Sequence, residues 1–147
     1  MKDTPAPFSP NVPETLSSAS SAFQIMSSDA ALAAGAIPLK ATVIRATDKA
    51  CAVVLTMPGR RLSAAVRLPR QKTAEEHSGW VSGHCCPFST ARRLHVSVWA
   101  DPPPESLVSV PSGISGSVVV MTAAELVRVL VSLKLLGKID RASDFVN

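Results

Sequence analysis

The chain has 147 residues, 46% of them hydrophobic, and a formal net charge of +4, which allows one buried core and excludes a wholly disordered protein. Its three cysteines are an odd number and two of them are adjacent, which excludes the disulfide framework of a small secreted protein and predicts an intracellular, cytoplasmic protein. The longest apolar stretch, residues 118–136, contains three charged side chains that would be costly in lipid, so we expect no membrane partner.

The chain is expected to divide into a tail and one domain. Residues 1–27 are rich in proline and serine and contain too few apolar side chains to hold a fixed conformation, so they predict a flexible tail. Residues 28–147 are predicted to form a single α+β domain. Its first element is a short helix, because Ser28 and Asp29 can cap the residues that follow and Gly35 is typical of a helix end.

A two-residue hydrophobic period begins at Leu39 and is typical of β-strands. It predicts strands near residues 39–46, 50–57 and 61–68. The segment 50–57 is apolar on both faces, which is typical of a central strand that is covered on both sides. In the segment 61–68 apolar side chains alternate with basic and small ones, so we expect one buried face and one basic face.

Residues 69–91 have no hydrophobic period and are predicted to form a long loop. Alternation returns in residues 92–100, where we expect a fourth strand. A short strand is predicted near residues 107–110.

A capping-box pattern predicts the last helix, since Thr122 precedes Glu125 by three positions. Apolar residues follow at helical spacing through residues 123–136, up to Gly137. This apolar stripe is wider than one contact with a sheet requires, so the helix either lies fully against the sheet or binds a second copy of the chain or another protein partner. Together the elements predict an α+β fold, with an antiparallel sheet or partly closed small barrel of about four to six strands and a C-terminal helix packed on it.

Positive charge is concentrated in residues 40–72, which contain eight basic residues and one acidic residue, Asp48. Guanidinium groups bind phosphates in bidentate geometry, so a row of arginines on one strand face favours nucleic-acid recognition. An indole on the same outer face would add a stacking surface for an unpaired base. Exposed β faces also carry arginine for solubility and to prevent edge pairing, which is the alternative. The predicted nucleic-acid-binding residues are Arg60, Arg61, Arg67, Arg70, Lys72, Arg93 and Trp99.

Four residues of the types that bind zinc lie in the predicted loop: His77, His84, Cys85 and Cys86. Their spacing does not favour a metal site, because adjacent cysteines seldom bind one ion together and the chain has no Cys-x-x-Cys pair. A cysteine nucleophile with His95 as its base would need a third group to orient the base, and the sequence indicates none. We therefore predict no metal, no cofactor and no catalytic residue, and we do not expect an enzyme.

Two functions fit this pattern best. The first is a non-catalytic nucleic-acid-binding accessory protein that uses the basic strand face, with binding that weakens steeply with salt. The alternative is a protein-interaction module, such as an assembly subunit, a viral host-interaction protein or a bacterial effector, that associates through the apolar helix 123–136. A small metalloprotein built on the histidine and cysteine cluster is a third hypothesis.

Overall fold

The computed structural model describes residues 12–18, 22–47, 49–81 and 83–139. These residues form an α+β fold with two four-stranded sheets and a C-terminal helix, which confirms the predicted fold class. None of the helices among them has the length and apolar character that crossing a bilayer requires. The elements in chain order are α1 (Val12–Ser18), β1 (Gln24–Ser27), α2 (Ser28–Ala33), β2 (Ile37–Pro38), β3 (Lys40–Arg45), β4 (Cys51–Thr56), α3 (Gln71–Ser78), β5 (Val96–Trp99), β6 (Leu107–Pro111), β7 (Ser117–Thr122), α4 (Ala123–Ser132) and β8 (Leu136–Ile139).

The two sheets are mixed rather than purely antiparallel. The first has the strand order β1-β7-β6-β2 and the second has the order β3-β4-β5-β8. The pairs β2–β6, β4–β5 and β5–β8 are parallel, whereas β1–β7, β6–β7 and β3–β4 are antiparallel. The connection from β4 to β5 is long enough to return the chain to the same end of the sheet, as a parallel pair requires. Neither sheet closes on itself, so the predicted antiparallel sheet or partly closed barrel is corrected to two open mixed sheets.

The main core contains side chains from both sheets and from two helices. Leu16 of α1, Leu55 of β4 and Leu130 of α4 are fully buried in it. Every residue of β4 is buried, because Val53 packs in this main core while Val54 packs in a second cluster on the opposite face of the sheet. Since β4 also lies between β3 and β5, the prediction of a central strand covered on both sides is confirmed.

Helix α4 begins where the capping-box pattern predicts. The Thr122 hydroxyl accepts a hydrogen bond from the Glu125 backbone N–H at 3.1 Å, which satisfies one of the free donors of the first turn. The helix ends at Ser132 rather than at residue 136, because Lys134 has a left-handed φ of 59° and the chain then turns into β8.

Residues 61–68 do not form the predicted third strand. Apart from an isolated bridge at Leu62, the segment is irregular. It covers the outer face of the second sheet, where Leu62 and Val66 pack against the buried cluster that contains Trp99. The apolar residues of the alternating pattern are therefore used as a cover for the sheet rather than as part of a strand.

The segment 69–91 is not one continuous loop. Helix α3 occupies part of it and ends at Gly79, whose left-handed φ of 81° is typical of the residue after a helix. The Gly79 N–H donates to the Glu75 carbonyl at 2.8 Å, which closes the last turn of the helix.

Part of the segment predicted as a flexible tail, residues 1–27, forms regular secondary structure. Helix α1 buries Leu16 completely, and β1 forms the edge of the first sheet by pairing with β7. The remaining residues of this prediction, 1–11 and 19–21, lie outside the described residues.

Candidate functional site

A half-open cavity of about 440 Å³ lies at the edge of the second sheet, beside β3. Its walls are formed by residues 40–43 of β3, by Leu68 and Pro69, by one face of α3, and by a segment that includes Trp80 and Cys85. We call this cavity the β3–α3 pocket.

The main chain of β3 directs hydrogen-bonding groups towards this pocket. In an antiparallel pair, alternate residues point their N–H and C=O groups towards the partner strand and away from it. The N–H of Arg45 points away from β4, since it donates to the Arg67 carbonyl at 2.9 Å. Ala41 and Val43 share this alternation, so their N–H and C=O groups also point away from β4, along the edge that lines the pocket. The sheet edge therefore offers both donors and acceptors to a bound molecule.

Charged and polar side chains complement this edge. Among the described residues that line the pocket, Lys40 is the only cation and Glu75 the only carboxylate. The Gln71 Nε2 atom donates to the Glu75 Oε2 atom at 3.1 Å, which restrains the carboxylate one turn further along α3. The pocket thus combines a positive group, a negative group and main-chain hydrogen-bonding groups.

Apolar side chains form the rest of the wall. Leu68 and Val81 both line the pocket although they are 60% and 66% exposed, so a bound molecule would cover an apolar surface there. The indole of Trp80 is more fixed, because its Nε1–H donates to the Ser89 carbonyl at 2.7 Å. The buried Ser78 hydroxyl accepts a hydrogen bond from the Trp80 backbone N–H at 3.1 Å and holds the start of this segment against α3.

Cys85 lines the pocket but is not an activated nucleophile. Burial, and to a smaller extent the neighbouring Cys86, raises the pKa of the Cys85 thiol to about 12. Burial raises the pKa of Cys86 to about 12 as well, against the opposing effect of two backbone hydrogen bonds. Both thiols therefore stay protonated at neutral pH, whereas a nucleophilic cysteine reacts as its thiolate. His95, considered as a base for them, is exposed just before β5.

His77, one of the two histidines of the predicted loop, contacts an arginine side chain. The Nε2 atom of His77 lies 3.0 Å from the Nη1 atom of Arg92 and accepts its hydrogen bond, because a guanidinium group can only donate. Among the residues that the structure describes, no three His, Cys, Asp or Glu side chains are grouped so that they could hold a metal ion.

The basic residues around the pocket are exposed but do not share one strand face. Arg70 and Lys72 flank Gln71 at the start of α3, which places them beside the pocket. The five basic residues of segment 60–72 that were predicted to bind nucleic acid are exposed: Arg60, Arg61, Arg67, Arg70 and Lys72.

Arg93 and Trp99, the other two predicted nucleic-acid-binding residues, lie elsewhere. The Arg93 Nη2 atom donates to the Leu133 carbonyl at 2.6 Å. Trp99 is only 4% exposed beneath Leu62 and Val66, so the expected position of its indole on an open outer face is corrected. The cover formed by residues 61–68 is the reason. Nucleic-acid binding by the predicted residues stays a prediction.

Three residues at the pocket were not singled out in the sequence: Lys40, Glu75 and Trp80. Lys40 belongs to β3, Glu75 to α3 and Trp80 to the segment after α3, and they meet through the packing of α3 against β3. One local signal was available, because Gly79 follows a segment of good helix formers and therefore indicates a helix end.

Comparison with known proteins identifies the fold. No protein-family model matches the chain, and no curated protein matches it. The crystal structure of hypothetical protein APE2540 aligns with a TM-score of 0.70 at 15% identity, over 92% of this chain and 99% of that chain. A structure from a study of epitope backbone grafting on scaffold proteins aligns with a TM-score of 0.67 at 15% identity, over 88% of this chain and 92% of that chain.

A third solved structure also shares the fold. It is described as "a putative trans-editing enzyme for prolyl tRNA synthetase" and aligns with a TM-score of 0.65 at 18% identity, over 88% of this chain and 92% of that chain. At this identity the similarity shows a shared fold.

The expectation that the chain is not an enzyme is corrected by this comparison. The expectation depended on the lack of a nucleophile and base pair in the sequence, but the same fold occurs in a protein named as an editing enzyme. A reaction that depends on main-chain donors and a positioned water needs no short sequence motif, so the lack of a motif does not exclude an enzyme.

Proposed function

We propose that this protein hydrolyses the ester bond between an amino acid and a tRNA, and that the β3–α3 pocket binds the aminoacyl group. The proposal is supported by the fold shared with the trans-editing protein. The observation that carries it is the combination, in one pocket, of the outward main-chain groups of β3 with the Lys40 ammonium and the Glu75 carboxylate.

An aminoacyl ester matches these groups one by one. Its α-ammonium is complementary to the Glu75 carboxylate, and its amino-acid side chain suits the apolar wall formed by Leu68 and Trp80. Its carbonyl oxygen can accept a hydrogen bond from an outward N–H of Ala41 or Val43.

The reaction proposed for this arrangement is attack by water. The water oxygen bonds to the ester carbonyl carbon and releases one proton to the solvent, while the carbonyl π electrons move to the carbonyl oxygen and a tetrahedral oxyanion forms. The oxyanion then collapses, the bond to the tRNA ribose oxygen breaks, and that oxygen takes up a proton, which leaves a free amino acid and an uncharged tRNA. The Lys40 ammonium and a β3 N–H are the groups that would stabilise the oxyanion. A thiol nucleophile is not used, because burial raises the pKa of Cys85 to about 12.

The tRNA itself would be bound outside the pocket. Arg70 and Lys72 are exposed beside it and can neutralise backbone phosphates near the charged end of the tRNA. Such an arrangement retains the nucleic-acid partner expected from the basic segment and adds a reaction to it.

The test is a deacylation assay with tRNAs that carry different radiolabelled small amino acids. We expect the protein to release at least one amino acid faster than spontaneous hydrolysis, and we expect Lys40→Ala to slow this release by about 100-fold, the loss typical of removing an oxyanion-stabilising group.

Lys49→Ala is the matched control, since it removes the same charge from an exposed position in the turn after β3. It should retain the wild-type rate. Release no faster than the spontaneous rate for every charged tRNA would refute the proposed function, and equal losses in the two variants would refute the role of Lys40.

A further inference from the structure

The indole of Trp80 lies next to the pocket, between the segment that contains Ser89 and a turn of the first sheet. One edge of the ring donates its Nε1–H to the Ser89 carbonyl at 2.7 Å. The opposite edge lies against Gly113, in the turn between β6 and β7 of the first sheet. Since Trp80 also lines the β3–α3 pocket, the position of this ring determines part of the pocket wall.

Gly113 has no side chain, so it leaves space for the Trp80 indole that the Cβ atom of any other residue would occupy. A Cβ atom built on Gly113 would lie 2.1 Å from Cζ3, 2.4 Å from Cη2 and 2.7 Å from Cε3 of Trp80. Such distances do not occur between real atoms, so any side chain at this position must displace the ring or the turn. The hydrogen bond to Ser89 restrains the far edge of the ring, so the displaced ring would alter the shape of the pocket.

Gly116, in the same turn, is a suitable control for Gly113. Gly116 also has a left-handed φ, 77° against 93° for Gly113, and a Cβ atom built on Gly116 would have no heavy atom within 4 Å. Substitution of either glycine by alanine therefore strains the backbone in a similar way, but only substitution of Gly113 pushes on Trp80.

We propose that Gly113 is a positioning residue that acts through Trp80 to set the size of the β3–α3 pocket, and thereby determines which aminoacyl side chains the pocket accepts. This inference rests on the proposed function. Gly113 does not line the pocket itself, so its effect on selectivity passes through the indole.

The experiment compares Gly113→Ala with Gly116→Ala on two substrates, tRNA charged with alanine and tRNA charged with leucine. We expect Gly113→Ala to lower kcat/KM for the leucyl ester relative to the alanyl ester by about tenfold compared with Gly116→Ala, since a few methylene groups in a pocket change selectivity by this order. An equal ratio in the two variants overturns the inference while leaving the proposed function intact.

A second measurement does not depend on activity. The indole N–H resonance of Trp80 in an NMR spectrum, assigned by its loss in Trp80→Phe, should shift in Gly113→Ala and stay in place in Gly116→Ala. An unchanged resonance in Gly113→Ala overturns the inference. Hydrolysis of neither substrate nor any other charged tRNA by the wild-type protein would instead refute the proposed function and, with it, the effect on aminoacyl selectivity.

Trp80→Phe serves where Gly113→Ala fails to fold. The smaller ring should enlarge the pocket and raise the relative kcat/KM for the leucyl ester by a few-fold, the opposite direction to Gly113→Ala. No change in this ratio would overturn the inference.

Discussion

The guanidinium group of Arg93 donates a hydrogen bond to the backbone carbonyl of Leu133 at 2.6 Å and ties the end of α4 to the segment before β5. The last carbonyls of a helix have no partners within the helix, and a cation there also interacts favourably with the helix dipole. Arg93 and the neighbouring Lys134 have left-handed φ values of 50° and 59°, which are uncommon for residues other than glycine. The contact therefore joins two segments whose backbone conformations are held by their surroundings.

Arg93→Ala should consequently lower the free energy of unfolding by about 1 kcal/mol, since a helix carbonyl loses a charged donor. Arg61→Ala removes the same charge from an exposed position and should change it by less than about 0.5 kcal/mol. Urea denaturation of the two variants measures the difference. Equal free energies of unfolding for Arg93→Ala and Arg61→Ala would show that Arg93 has no structural role. This result would favour its predicted role in binding nucleic acid.

The cover over Trp99 gives a second prediction. Leu62→Ala should lower the free energy of unfolding by about 1 to 2 kcal/mol, because a partly buried side chain is lost from the cluster, and it should shift Trp99 fluorescence to longer wavelength as water reaches the ring. The measurement is made in a Trp80→Phe background, so that Trp99 is the only emitting tryptophan. Leu68→Ala, at a position that is 60% exposed, is the control and should leave the emission unchanged.

The buried thiols predict a loss of stability in alkaline solution. Below pH 9 the thiols of Cys85 and Cys86 are protonated in both the folded and the unfolded chain, so their contribution to the free energy of unfolding is fully present. Above pH 9 the unfolded chain ionises while burial holds the folded pKa values at about 12, so the free energy of unfolding falls as the pH rises towards 12. The slope is at most about 1.4 kcal/mol per pH unit for each thiol.

Urea denaturation between pH 8 and pH 10.5 would detect this slope. The variant Cys85→Ala/Cys86→Ala should have a shallower dependence on pH than the wild-type protein, whatever its absolute stability. Identical slopes in the two proteins would contradict the burial of the thiols in solution.

Binding of uncharged tRNA tests the basic residues beside the pocket. Arg70→Ala should weaken binding and reduce the slope of log K against log salt by about 1, as expected when one phosphate contact is lost. Lys49→Ala carries the same change in charge at the turn after β3 and should leave the slope unchanged. Fluorescence anisotropy across a salt series distinguishes the two, and equal slopes would mean that tRNA is bound through another surface.

Several elements were predictable because their chemistry is local. The hydroxyl of Thr122 and the backbone N–H of Glu125 are three residues apart, so their hydrogen bond depends on the helix itself and not on the rest of the fold. The apolar character of β4 on both faces likewise predicted its central place in a sheet. For the same reason the short helix after residue 27 was expected, although its capping hydroxyl belongs to Ser27 rather than to Ser28.

The alternating pattern of residues 61–68 was not sufficient to predict the backbone structure of that segment. The pattern predicts that Leu62 and Val66 face an apolar surface, and they do, but it does not tell whether the segment joins a sheet or lies over one. That choice depends on which strands form the two edges of the sheet. In the second sheet β3 is an edge strand, and part of its edge lines the β3–α3 pocket. The burial of Trp99 follows from the same arrangement.

The amino-acid sequence by itself determined the class of the fold, the start of α4, the central strand and the exposed basic residues, because each depends on side chains close together in the chain or on their contact with water. Tertiary structure alone decided the strand order, the parallel pairs and the β3–α3 pocket. Lys40, Glu75, Trp80 and Gly113 lie in separate segments, and their meeting depends on the order in which strands and helices pack. The packing order of strands and helices depends on the burial of the whole core, so it cannot be predicted from a short stretch of sequence.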